Sequence, residues 1–168
     1  MDAAALKQMQ APFKERYRAE PEAAVITLKA EGAIGEGVTC SVQTAKALVE
    51  AGLHPATGGS GASACSGDML LEALTACAGV TLNAVATALG VPLRSGRVRA
   101  EGDLDFRGTL GVAKDAPVGF KDIRLFFELD SDASEDQLAT LIKLTERYCV
   151  VYQTLRHPPP LTVATERP

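Results

Sequence analysis

The chain has 168 residues, 46% of them hydrophobic, which is enough for one well-filled domain and short for two. A net charge of −4 without a long basic run argues against a nucleic-acid partner, because affinity for a phosphate backbone rests on clustered Lys and Arg. No run reaches eighteen consecutive apolar residues and residues 1–7 lack the hydrophobic core of a secretory signal, so no membrane partner and a cytoplasmic location are expected.

Residues 1–20 set Lys7, Lys14, Glu15, Arg16 and Arg18 around Leu6, Met9, Phe13 and Tyr17, and read as an N-terminal extension or short helix before Pro21. Residues 21–168 read as a single domain. Two β-prone runs, 24–30 and 37–43, flank Glu31-Gly32-Ala33-Ile34-Gly35-Glu36, the pattern of a hairpin with a glycine-rich turn. Val38, Cys40 and Val42 share a face of the second arm, which makes Cys40 a sheet-core residue.

Residues 44–64 read as an irregular loop. Gly58, Gly59 and Gly61 lack both the Gly-Lys-Ser/Thr ending of a phosphate loop and the spacing of a dinucleotide turn. His54 stands in this loop as a candidate acid or base, against the plainer reading of a histidine that holds the loop through hydrogen bonds.

The stretch 65–90 is the one the rest is built around. Ser66 is the expected N-cap of a long helix, Asp68 lies in its positively polarised first turn, and Gly90 followed by Pro92 ends it. At 100° per residue, Asp68, Glu72, Thr75, Gly79 and Asn83 form a narrow polar stripe. Leu70, Ala73, Leu74, Cys77, Thr81, Ala84, Val85 and Ala88 fill the remainder, so the helix is expected to be covered on most sides, more than one small sheet and one partner helix supply, which is a reason to expect a homodimer. Cys77 lies half a turn of azimuth from Asp68 and points into that cover.

Residues 97–106 alternate, with Val98, Ala100, Leu104 and Phe106 on one face and Arg97, Arg99, Glu101, Asp103 and Asp105 on the other. After a long connection over 107–119, residues 121–130 alternate again with Ile123, Leu125, Phe127 and Leu129 inward, which predicts an antiparallel pair. Ser134 with Gln137 is a capping box. The helix it opens carries Leu138, Leu141, Ile142, Thr145, Tyr148, Cys149 and Tyr152 on its buried face. Pro158, Pro159 and Pro160 end it before an edge strand at Leu161-Thr162-Val163-Ala164. The expected fold is α+β, with antiparallel sheet packed on two helices that each bear an inward cysteine.

The four cysteines, Cys40, Cys65, Cys77 and Cys149, are too scattered for a disulfide scaffold. They contain no Cys-x-x-Cys pair, and His54 and His157 each stand alone, so neither a zinc site nor another cofactor is indicated. In a reducing compartment such thiols are buried fillers or redox groups.

Two segments together carry a family resemblance. The run Gly67-Asp68-Met69-Leu70-Leu71-Glu72-Ala73-Leu74-Thr75-Ala76-Cys77 is similar to the OsmC/Ohr helix that starts with an acidic residue and reaches the reactive cysteine about nine residues later. Glu146-Arg147-Tyr148-Cys149-Val150-Val151-Tyr152-Gln153-Thr154-Leu155 resembles the same family's second-cysteine segment. The resemblance spans roughly residues 24–164. It implies a thiol peroxidase in an intertwined homodimer, with Cys77 as the peroxidatic thiol, Cys149 as the resolving thiol and Asp68 as a loosely matched helper acid. The family's hydroperoxide reductases carry an arginine in the first hairpin turn, whereas Glu31–Glu36 has none.

The chemistry implied is reduction of organic hydroperoxides, and of hydrogen peroxide as a further substrate, with an external dithiol as reductant. The alternative is a non-enzymatic ligand-binding or thiol-sensing protein on the same scaffold. A thiolate needs a positive potential around it, for which Arg16, Arg18, Arg147 and His54 are the candidates. Without a cation, a Cys77 buried among Leu and Ala is expected to have a raised pKa. Cys65, at the helix N-terminus, is the rival thiol, and about 18 Å of helix rise keeps it from pairing with Cys77.

Overall fold

The computed structural model describes residues 2–19, 31–34, 39–43, 48–111 and 113–167. Helix α1 (Ala3–Ala19) is capped by the Asp2 carboxylate, which accepts from the Ala5 amide at 2.8 Å, and it lies against the central helix. A four-stranded sheet follows, in the order β1 (Glu31–Ile34), β2 (Thr39–Gln43), β3 (Leu48–Gly52), β4 (Ala64–Cys65). Its first two pairings are antiparallel and the short β3–β4 pairing is parallel.

Two expectations change here. Glu31–Ile34, expected within the hairpin turn, is itself a strand paired with β2. The expected strand 24–30 lies outside the described residues, as does the side chain of Cys40. Of the expected loop 44–64, residues 48–64 are more ordered than a plain loop. They contain β3, a 3₁₀ turn at Pro55–Thr57 and β4, and the Ser63 hydroxyl donates to Glu50 at 2.9 Å to tie the connection back to β3.

The central helix α2 runs Ser66–Leu89. Its N-cap is Cys65 and not Ser66, without a side-chain bond to the first turn. At the other end Gly90 adopts φ +67°, the left-handed cap conformation that costs glycine least, and its amide reaches the Ala86 and Thr87 carbonyls. Leu74, Ala78, Leu82 and Ala86 recur every fourth residue and form the buried stripe of α2.

That stripe meets the antiparallel pair β5 (Ser95–Leu104) and β6 (Phe120–Asp130), which matches the alternation read from the sequence. Val98, Ala100, Ile123, Leu125, Phe127 and Leu129 pack against it. The opposite face of the pair is laced by charge. Arg124 reaches Asp103 at 2.5 Å and Asp122 at 2.6 Å, and the Arg99 guanidinium lies 4.2 Å from the Phe126 ring centre. Phe106, expected on the inward face of a strand, instead opens the four-residue helix α3 (Phe106–Thr109) under an Asp105 cap.

The expected capping box is present at the start of α4 (Glu135–Tyr148): the Ser134 hydroxyl accepts from the Gln137 amide, and the Gln137 side chain accepts from the Ser134 amide at 2.9 Å. The helix does not continue through Cys149. That residue takes an extended conformation, φ −72° and ψ 109°, and a separate helix α5 (Val150–Arg156) begins after it. Tyr148, the last residue of α4 and expected inward, is instead exposed under the Arg147 guanidinium. After Pro158–Pro160 the chain has no regular secondary structure, so the expected edge strand at 161–164 is not formed among the described residues.

Coverage of α2 within one chain is incomplete, as the breadth of its apolar surface leads one to expect. The single chain covers one side of it, and Leu70, Val80 and Leu89 stay exposed, Val80 at 73%. Leu141 is the opposite case, fully enclosed between α2 and the sheet. Truncating it leaves a void that the close-packed surroundings fill only in part. Leu141→Ala is therefore expected to lower unfolding stability by about 2–5 kcal/mol, read as a lower urea midpoint at unchanged slope.

Candidate active site

Cys77 sits in the middle of α2, and Cys149 sits at the joint between α4 and α5. Helix periodicity sets the first on the flank of the buried stripe, half-buried beside Ala78. The break in the backbone sets the second, which is 1% exposed among Leu74, Ala78, Val151 and Tyr152. Both thiols are free and lie in one packed cluster.

Burial by itself raises the Cys77 thiol, but its polar neighbours outweigh burial and leave it below the ordinary cysteine range. Those neighbours are the Val151 amide, the Cys149 thiol, the Val150 amide and the Thr81 hydroxyl. None of the four is a cation. The two amides belong to the first turn of α5, where no intrahelical carbonyl is available to them, so they are free to face a sulfur anion. The partner moves the other way. Burial pushes the Cys149 thiol up, and the neighbouring Cys77 adds to the rise, so Cys149 keeps its proton and can donate to a Cys77 thiolate.

The other sequence candidates lie elsewhere. Asp68 is exposed on α2 beside Leu71, Glu72 and Thr75, and the nine residues to Cys77 correspond to roughly 13 Å of helix rise. His54 caps the Pro55–Thr57 turn: its Nδ1 accepts from the Ala56 amide at 3.0 Å, and its ring stacks on Phe106 with centroids 4.9 Å apart. Arg147 lies over Tyr148, and the side chains of Arg16 and Arg18 fall outside the described residues. Cys65 is half-buried at the far end of α2.

Sequence reading missed the amides of Val150 and Val151, which have no residue signature, and Thr81. For Thr81 a signal did exist: it follows Cys77 by one helical turn on the same face. A cleft of about 530 Å³ opens nearby, with Leu74, Ile123, Leu125, Phe127 and Tyr152 among its walls. Along one side, Arg156 donates to the Tyr152 hydroxyl at 3.1 Å, and that hydroxyl donates to Glu146 at 3.3 Å. Among the described residues, no cluster of His, Cys, Asp and Glu fit to hold a metal is present.

A family model described as OsmC-like protein matches residues 59–164. Solved structures of similar fold include an OsmC-like protein from Mycoplasma pneumoniae, 18% identical over 79% of this chain and 89% of that one, with a TM-score of 0.67. An organic hydroperoxide resistance protein from Elizabethkingia anophelis is 16% identical over 80% of this chain and 91% of its own, at 0.64. One from Legionella pneumophila, described as a predicted redox protein, is 16% identical over 80% and 92%, at 0.62. At such identities the structural likeness speaks for the fold alone. No curated protein matches the chain.

A thiol with a lowered pKa is ionised, and so nucleophilic, from a lower pH than an ordinary one. Iodoacetamide labelling of Cys77, followed by peptide mapping, is expected to reach half-maximal rate at lower pH in the folded protein than in urea. Cys149→Ala removes one of the donors and should move the folded midpoint upward. Identical midpoints in the parent and the variant would count against the donor set.

Proposed function

The chain belongs to the OsmC-like protein family, and on that premise we propose that it is a thiol peroxidase that reduces organic hydroperoxides through Cys77 and Cys149. The observation that carries the reading is the pairing of one thiol held below the ordinary range with a second, buried thiol held above it. A nucleophile and a proton-bearing resolving partner are what such a cycle requires. Two of the structural neighbours are described as organic hydroperoxide resistance proteins, which agrees with this substrate class.

In the proposed cycle the Cys77 thiolate attacks the distal oxygen of ROOH. The O–O bond breaks, the alkoxide takes up a proton and leaves as ROH, and Cys77 becomes a sulfenic acid. Cys149 then attacks that sulfur; its own proton and the sulfenic hydroxyl leave as water, and a disulfide remains. An external dithiol restores both thiols by exchange. Cys149 suits the second step because it caps α5 without committing its side chain to a capping bond.

The active form is proposed to be a homodimer. The exposed Val80 of α2, Tyr148 at the end of α4 and Val150 of α5 give the thiol-bearing side of the molecule an uncovered apolar surface. Leu161 and Val163, each 91% exposed on a C-terminal arm with no partner strand among the described residues, offer that arm for pairing with a second copy. Light scattering is expected to give about twice the 17.6 kDa chain mass, and a monomer would contradict the dimer.

Peroxide consumption tests the chemistry. With a dithiol donor, the reduced protein should turn over cumene hydroperoxide, and Cys77→Ser should fall to the buffer rate because a serine hydroxyl is a far poorer nucleophile. Cys149→Ser should permit one fast oxidation and then stall with a dimedone-reactive sulfenic acid at Cys77. Stoichiometric oxidation without turnover under any dithiol would overturn the peroxidase and leave a thiol sensor.

A further inference from the structure

We propose that the cleft between β6, α4 and α5 is a binding site for an apolar molecule with a carboxylate head, its chain on the cleft floor and its head held by Arg156. The volume, about 530 Å³, falls in the range of small-molecule sites. The floor is apolar: Leu74 comes from α2, Leu125 and Phe127 from β6, and Ile142 from α4. Such walls offer a polar group no partners and favour a hydrocarbon chain. The polar side chains of the cleft are those of Lys121, Asp122, Glu146, Tyr152 and Arg156.

These five groups decide the sign of the head. The Asp122 carboxylate is held by Arg124 at 2.6 Å. The Glu146 carboxylate is half-buried and accepts from the Tyr152 hydroxyl at 3.3 Å, and that hydroxyl accepts from Arg156 at 3.1 Å. Arg156 thus gives one N–H to a neutral oxygen. Among the described residues neither Arg156 nor Lys121 enters an ion pair, and both are exposed. A guanidinium carries five donors in a planar fork that matches a carboxylate, so Arg156 keeps donors for one while Tyr152 orients it. An amine head would meet only Glu146, which is less exposed and already bonded.

The test is NMR titration of the full-length reduced protein, with ¹³C-labelled Ile and Leu methyls, by octanoate, octanol, octylamine and acetate. No peroxide is present, so the result stands apart from the redox chemistry. Octanoate should saturate at millimolar concentration and shift the methyls of Leu74, Ile123, Leu125 and Leu155, which line the cleft. An exposed ion pair adds a modest increment, so octanol should bind about fivefold more weakly. Acetate, which lacks the chain, should not saturate in that range. Arg156→Gln should bring octanoate to the octanol value and leave octanol unchanged, whereas Leu155→Ala should weaken both alike. Thermal melts check folding, and should Arg156→Gln fail to fold, the preference for octanoate over octylamine in the parent carries the test. Octylamine binding as tightly as octanoate, methyl shifts away from the cleft, an unchanged octanoate Kd in folded Arg156→Gln, or failure of octanoate to saturate would each overturn the proposal.

Discussion

The break in the helix at Cys149 is the constraint on which the rest of the site depends. Had α4 run on through that residue, the amides of Val150 and Val151 would have bonded to carbonyls of the same helix and been unavailable. Instead Cys149 takes an extended conformation and α5 restarts the hydrogen-bond ladder, so its first amides are unclaimed and face the flank of α2. The same break buries the Cys149 thiol beside Cys77. One local change of backbone thus supplies both the donors that favour a thiolate and the thiol proposed to resolve it.

A thiolate held by neutral donors differs physically from one held by an arginine. A guanidinium acts at range and is screened by salt, whereas amide and hydroxyl dipoles act at contact and are little affected by ionic strength. Their strength depends on geometry, so the packing around α5 matters to the chemistry. Gln153 donates to the Glu146 carbonyl at 2.7 Å and Tyr152 donates to the Glu146 carboxylate, which fastens the seven-residue α5 to the end of α4. A helix that short is unstable alone, and these bonds, with the burial of Val151 and Tyr152, keep its first turn in place.

Much of this was legible in the sequence where local chemistry and tertiary packing agree. The alternation of β5 and β6, the capping box at Ser134 and the glycine stop at Gly90 are local signals that packing reinforces. Strand β3 was illegible because Leu-Val-Glu-Ala-Gly is too short and too mildly β-prone to show a period of two. The break at Cys149 was hidden because Tyr148, Cys149 and Tyr152 keep helical spacing across it, so the pattern argues for one continuous helix. Activation of Cys77 was sought in charged side chains, where sequence has letters, and the structure supplies it from backbone amides, where sequence has none. The exposed side of α2 agrees with the breadth of its apolar face, which is more than one small sheet and one partner helix cover.

The most direct measurement is a titration of the reduced, full-length protein carrying ¹³Cβ-labelled cysteine, followed by NMR in the folded state and in urea. The account predicts that the Cys77 resonance titrates at lower pH in the folded protein than in urea, while that of Cys149 titrates at higher pH. A folded Cys77 midpoint at or above its value in urea would contradict it.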